Sequence, residues 1–88
     1  MKLWRRWRSR RDQRHDATVL GCLLLGDIYG YDMMRRTGLG SGAIWPALAR
    51  LERDRLIWSE WVEWPTGTRR RRRYELTRRA AEMARRSR

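Results

Sequence analysis

Apolar and polar positions alternate along this chain with two different periods, and the change of period marks its elements. Within Ser41–Ile57, Ile44, Leu48 and Leu51 recur at intervals of four and three residues, the spacing of a buried helical stripe. Ala43, Ala47, Arg50, Arg53 and Asp54 fall off that stripe. Ser41 is expected to cap this helix, and Pro46, beyond the position where proline is harmless, to distort its first turn. Upstream, Asp16 is placed to cap a first helix through about Leu25, with Ala17, Leu20 and Leu24 on one face and Leu23 beside them. A second helix is expected from Tyr31 to about Thr37, with Tyr31 and Met34 towards the core and Asp32, Arg35 and Arg36 in water. Gly38-Leu39-Gly40 reads as the tight turn into the third helix.

Beyond Leu56 the period shortens to two. Ile57 to Trp64 is rich in aromatic and β-branched residues and reads as a strand, Pro65 to Thr68 as a turn, and Arg69 to Leu76 as the return strand. Tyr74 and Leu76 share parity and should face inward, leaving Arg71 and Arg73 on the opposite face. Trp58, Trp61 and Trp64 are three residues apart, so they cannot all point one way, and at least one should be exposed. Thr77 is expected to cap a last helix with Ala80, Met83 and Ala84 on its inner stripe. The predicted fold is α+β: a winged helix-turn-helix of three to four helices plus a two-stranded β-hairpin wing. Residues 1–14 are expected to form a flexible basic arm, and residues 15–88 the winged helix-turn-helix DNA-binding domain.

At 88 residues the chain forms one small domain, and its formal net charge of +12 calls for a polyanionic partner. All but one of the 22 basic residues are arginine, Lys2 being the exception. The guanidinium fork suits phosphate and guanine, although a genome-wide preference for arginine codons produces the same bias. Cys22 is the single cysteine and sits in the apolar run Val19–Leu25, so it reads as a buried structural thiol, and a reducing cytoplasmic location fits. That run is too short to span a bilayer, and the N-terminus is basic without the apolar core of a secretory signal.

A helix followed by a basic hairpin is the arrangement with which a protein reads duplex DNA. The expected groove-facing set is Ser41, Gly42, Ala43, Trp45, Arg50 and Arg53. A helix start carries partial positive charge and free amides, and the two arginines reach phosphate or a guanine edge. Thr68, Arg69, Arg70, Arg71 and Arg73 of the wing are expected on phosphates. Arg35 and Arg36 would support the backbone contacts, and Arg5, Arg6 and Arg8 of the arm would add to them. Catalysis has no support: His15 is the single histidine, beside Asp16 at the expected helix start, and one His with one Cys cannot build a zinc site. Gly38 to Gly42 lacks the Gly-Lys-Ser/Thr of a nucleotide-cradling loop. No enzyme, cofactor, metal or small-molecule effector is expected, and the membrane ranks below DNA as a partner. Two other roles are compatible with these residues: an architectural, excisionase-like DNA-bending protein, and an interaction module that binds polymerase or a host factor through its tryptophans.

Four segments carry a resemblance: Leu23 to Asp32, Ser41 to Glu52, Leu56 to Trp61 and Arg72 to Thr77. In that order, with Tyr-Gly-Tyr, Ser-Gly-x-x-aromatic-Pro-Ala-Leu and Tyr-x-Leu-Thr at their cores, the chain resembles the PadR-like winged-helix transcriptional regulators over about residues 17–84. The resemblance implies operator binding by a dimer, usually in repression, with the third helix in the major groove and the wing on the backbone. Relatives usually carry tyrosine where Trp45 stands, and a glycine in the last helix where Ala80 stands. They continue into C-terminal helices that build the dimer, whereas this sequence ends at Arg88. A homodimer here is therefore expected to use the Trp4/Trp7 arm, the last helix or the strand tryptophans.

Overall fold

A computed structural model describes residues 8–63 and 70–86. Among them are four helices and one hairpin: α1 (Arg10–Leu24), α2 (Gly30–Thr37), α3 (Ser41–Arg53), β1 (Ile57–Glu63), β2 (Arg70–Leu76) and α4 (Arg78–Arg86). The α+β winged arrangement is the one expected from the sequence. The expected turn at Pro65–Thr68, together with Trp64, lies outside the described residues.

The first helix starts earlier than expected. Ser9 caps it, its hydroxyl accepting the Asp12 N–H at 3.0 Å. An acid three residues after a serine cap favours this start over Asp16. The boundary placed at residue 14 thus falls inside α1. Asp16 is no cap: it lies within the helix, buried with Val19, Cys22 and Leu23. The expected face of Ala17, Leu20 and Leu24 is rotated accordingly. Ala17 and Leu24 are exposed and Leu20 is half-buried.

Gly26, at φ 104°, reverses the chain after α1 in a conformation that side chains resist. The following segment runs beside β2, where the Tyr74 N–H donates to the Ile28 carbonyl at 2.8 Å. In α2 the fully buried residue is Met33, not Tyr31, which stays exposed, while Met34 is half-buried. Gly38, at φ 76°, closes α2 by donating to the Met34 carbonyl. Gly40 then occupies the cap position of α3, so Ser41 is the first helical residue rather than the cap. The helix passes through Pro46 without interruption, and Ile44, Ala47, Leu48 and Leu51 form its buried face. Ala47, expected off that face, is instead fully buried as part of the core.

The end of α3 uses an arginine where glycine is usual. Arg55 has φ 60°. Its N–H donates to Glu52, and the Leu56 N–H to Leu51, the double closure that terminates a helix through a left-handed residue. The strands are antiparallel, with Ile57 opposite Leu76, Ser59 opposite Tyr74 and Trp61 opposite Arg72. Tyr74 is buried and Leu76 packs on the core, as their parity requires. Thr77 caps α4 as expected, accepting the Ala80 N–H at 3.2 Å. Of its inner stripe only Ala80 is buried; Met83 remains exposed. The core joins all these elements, with Val19, Met33, Ile44, Leu48, Leu51 and Ile57 fully buried at its centre.

Candidate nucleic-acid interface

The outer surface of α3 carries Ser41, Gly42, Pro46, Ala49 and Arg53, all exposed. Residues 42, 46, 49 and 53 repeat at helical spacing and define one solvent-facing stripe. Ala43 is half-buried at its edge. Arg53 forms no ion pair with any described residue. The stripe is narrow and mostly small, so the helix can approach another surface closely.

Trp45 flanks it on the α2 side and is 37% exposed. The Tyr31 and Trp45 rings meet edge to face, 5.9 Å between centroids and 84° between planes. Gly30 provides the floor. A Cβ there would lie 2.3 Å from Trp45 Cζ3, so only glycine lets the indole sit this low. The Tyr-Gly-Tyr motif is thus the seat of the third-helix aromatic. Tyr31, expected in the core, stands instead on the exposed surface beside Trp45.

Arg50 does not join this surface. Its Nε donates to Asp16 Oδ1 at 3.0 Å, Nη2 lies 2.9 Å from the same oxygen as an ion pair, and Nη1 lies 3.8 Å from Asp12. The side chain is only 16% exposed. Arg8 is withdrawn in the same way, bonded to Asp16 Oδ2 at 2.7 Å and to Asp54 Oδ2 at 3.2 Å. Asp16 therefore holds two guanidiniums on its two oxygens, and the two arginines are structural in this arrangement. The sequence points both towards DNA because it displays their charge and hides their distant partner. Arg5 and Arg6 lie outside the described residues.

Arg35 and Arg36 stay exposed on α2, Arg35 paired with Asp32 and Arg36 with Asp27. The Arg36 guanidinium holds the Asp27 carboxyl below the usual carboxylate range. Behind this pair, burial first and the Asp27 charge second push the Cys22 thiol up. Cys22 is thereby buried and kept protonated, consistent with an inert structural thiol.

In the wing, Thr68 and Arg69 lie outside the described residues and Arg70 is exposed. Arg71 stands over both Tyr29 and Tyr31, 5.9 and 5.8 Å from their centroids. Arg73 pairs with Glu60 and Glu75 and lies over Trp58. Arg72, not among the expected contacts, donates through Nε to Ser59 Oγ at 2.8 Å and lies over Trp61. Both described strand tryptophans remain exposed, Trp58 at 40% and Trp61 at 57%. The arginine run thus holds the root of the wing against α2 and across its own sheet.

No cluster able to hold a metal ion occurs among the described residues. None of the described helices is long and apolar enough to cross a membrane. The family model for the transcriptional regulator PadR-like family matches residues 19–85. A PadR-like transcription factor from Bacteroides fragilis is similar in structure, with a TM-score of 0.73 and 26% identity over 83% of this chain and 75% of that one. A PadR family transcription regulator from hypervirulent Clostridium difficile R20291 gives 0.71 and 26% over 83% and 81%. A transcriptional regulator from Clostridium thermocellum gives 0.64 and 26% over 83% and 75%. No curated protein matches the chain. With the winged fold, the aromatic seat of α3 and a family match over most of its length, the chain belongs to the PadR-like family of transcriptional regulators, DNA-binding proteins rather than enzymes.

Proposed function

We propose that this protein is a sequence-specific repressor that places α3 in the major groove and the wing along the phosphate backbone. The observation that carries this reading is the solvent-facing stripe of α3, small at Gly42, Pro46 and Ala49 and ending in Arg53, which pairs with no described residue. A helix with such a surface fits a groove about 12 Å wide. Ser41, Trp45 and Arg53 supply its polar contacts, and Arg70 with Arg35 and Arg36 supplies positive charge at the flanks. Thr68 and Arg69 extend the wing assignment. Repression follows from occupancy of a promoter, for which this surface is sufficient.

The functional unit is proposed to be a homodimer. Leu24 and Met83, exposed at 57% and 43%, line one apolar hollow with half-buried Leu20 between the end of α1 and the second half of α4. This apolar face supports self-association through the last helix, and Met83→Glu should shift the protein to monomer in sedimentation. Selection from a random duplex library at about 150 mM salt, where purely electrostatic binding is weakened, tests the whole reading. An enriched inverted repeat supports a dimeric sequence reader. Binding without any enriched motif would refute sequence-specific repression.

A further inference from the structure

The α1 side of the recognition helix carries a feature that neither the motifs nor the family match assigns. Arg11 and His15 are one helical turn apart on α1, so they share a face. Together with Asp12 and Arg50 they line a concavity against Gly42, Ala43 and Pro46 of α3. Its lining is mainly polar, and its floor is the exposed start of α3. Arg11 is exposed and His15 half-buried. Arg10 and Arg14 continue the positive charge over the first two turns of α1 and are exposed as well. The carboxylate at the rim, Asp12, lies 3.8 Å from Arg50, which offsets its charge.

The relative placement of the helices gives this edge its meaning. Arg8 meets Asp54 at the end of α3, whereas His15 meets Gly42 to Pro46 near its start, so α1 runs antiparallel along α3. Tyr31 and Trp45 flank the stripe from α2. A helix lying in a major groove has a phosphate backbone on each side of it. On the α2 side an aromatic pair and Arg35 face outward. On the α1 side the available donors are Arg11 and His15.

We infer that Arg11 and His15 form a second phosphate-binding edge, holding the DNA backbone on the opposite side of α3 from Tyr31 and Trp45. Arg11 provides the charge and a forked donor. His15, which lines the concavity, provides a ring N–H donor. The inference rests on the reading that α3 enters the groove. It assigns α1 a role in positioning, without base recognition.

The test uses the full chain and a duplex carrying its selected site. Arg11→Ala and His15→Ala are compared with Arg85→Ala, an equal charge loss on α4, with folding checked by circular dichroism. Arg11→Ala should weaken selected and random duplexes alike, by about three- to tenfold. It should lower the slope of log K against log salt by about 0.9, the value for one phosphate contact. Arg85→Ala should change neither. Single methylphosphonate substitutions then remove one phosphate charge at a time. One position should weaken the wild type but not Arg11→Ala, because the contact is already absent. Additive losses at every phosphate, or equal slope changes for Arg11→Ala and Arg85→Ala, would overturn the inference. Failure of the α3 reading looks different: Arg53→Ala and Trp45→Ala would leave site preference intact while the Arg11 coupling persisted.

Discussion

Asp16 holds the α1–α3 junction together, and its replacement tests the reassignment of two arginines at once. Its side chain is 7% exposed and receives two hydrogen bonds, one from Arg8 and one from Arg50, whose Nη2 adds a second close ionic contact. Asp16→Ala leaves both guanidiniums without their main counter-ion in a site where they are 11% and 16% exposed. Removing one partner of a buried ion pair costs about 3–5 kcal/mol. Arg8 keeps Asp54 at 3.2 Å and Arg50 keeps Asp12 at 3.8 Å, which places the loss at the low end, ~3 kcal/mol. For a domain of this size each kcal/mol lowers the melting temperature by roughly 4–8 °C, so the variant should melt about 12–24 °C below the wild type. Urea denaturation followed by circular dichroism measures the free energy, and Asp16→Asn should lose less because its amide oxygen still accepts. Coupling between Asp16→Ala and Arg50→Met should exceed about 1 kcal/mol in a double-mutant cycle. A loss below about 0.5 kcal/mol for Asp16→Ala would refute the network. So would an Arg50→Met variant of unchanged stability that no longer prefers the selected site, since Arg50 would then be reading bases.

Other expectations follow from the same contacts. Gly30→Ala should displace the Trp45 ring, destabilise the fold by about 1–3 kcal/mol and weaken DNA binding; in a Trp45→Ala background the added methyl should cost little, and an equal cost in both backgrounds would remove Gly30 as the seat. The Asp27 carboxyl is held below its unfolded value of about 3.9 by Arg36. Its contribution to stability is therefore complete above that value and lost as pH falls through the lower folded one. Asp27→Asn should flatten the acid limb of the stability profile, and an unchanged limb would show that the pair contributes nothing. Cys22 should resist thiol reagents in native protein and react at the rate of unfolding, because it is buried and its thiolate is disfavoured; fast labelling of folded protein would contradict its burial.

The features legible in the sequence are those encoded over short stretches of chain. Ile44, Leu48 and Leu51 are buried because a helix returns to the same face every three to four residues, and that spacing is written locally. Tyr74 and Leu76 turn inward by strand parity, and Thr77 caps α4 because a hydroxyl three residues before a free amide suffices. Asp16 sits within α1 rather than at its cap because two local signals compete there, its own and the Ser9-x-x-Asp12 pair, and the serine cap supplies the earlier start. Tyr31 shows a different limit. Its spacing with Met34 reads as a core face, but the glycine before it admits an indole from the next helix, and the ring meets that indole at the surface.

The basic side chains divide along the same line. Sequence alone determined that the chain is strongly cationic, that a basic hairpin follows a buried-stripe helix, and that the product is a winged DNA-binding fold. It did not determine which arginines are available to a ligand. Arg50 finds its carboxylate 34 residues away, Arg8 bonds one 46 residues away, and Arg71 rests on tyrosines from another element. A guanidinium's long flexible stem carries the same charge whether its head meets solvent, a carboxylate or an aromatic face. Only the packing of α1 against α3, and of the wing root against α2, sets which of these it meets.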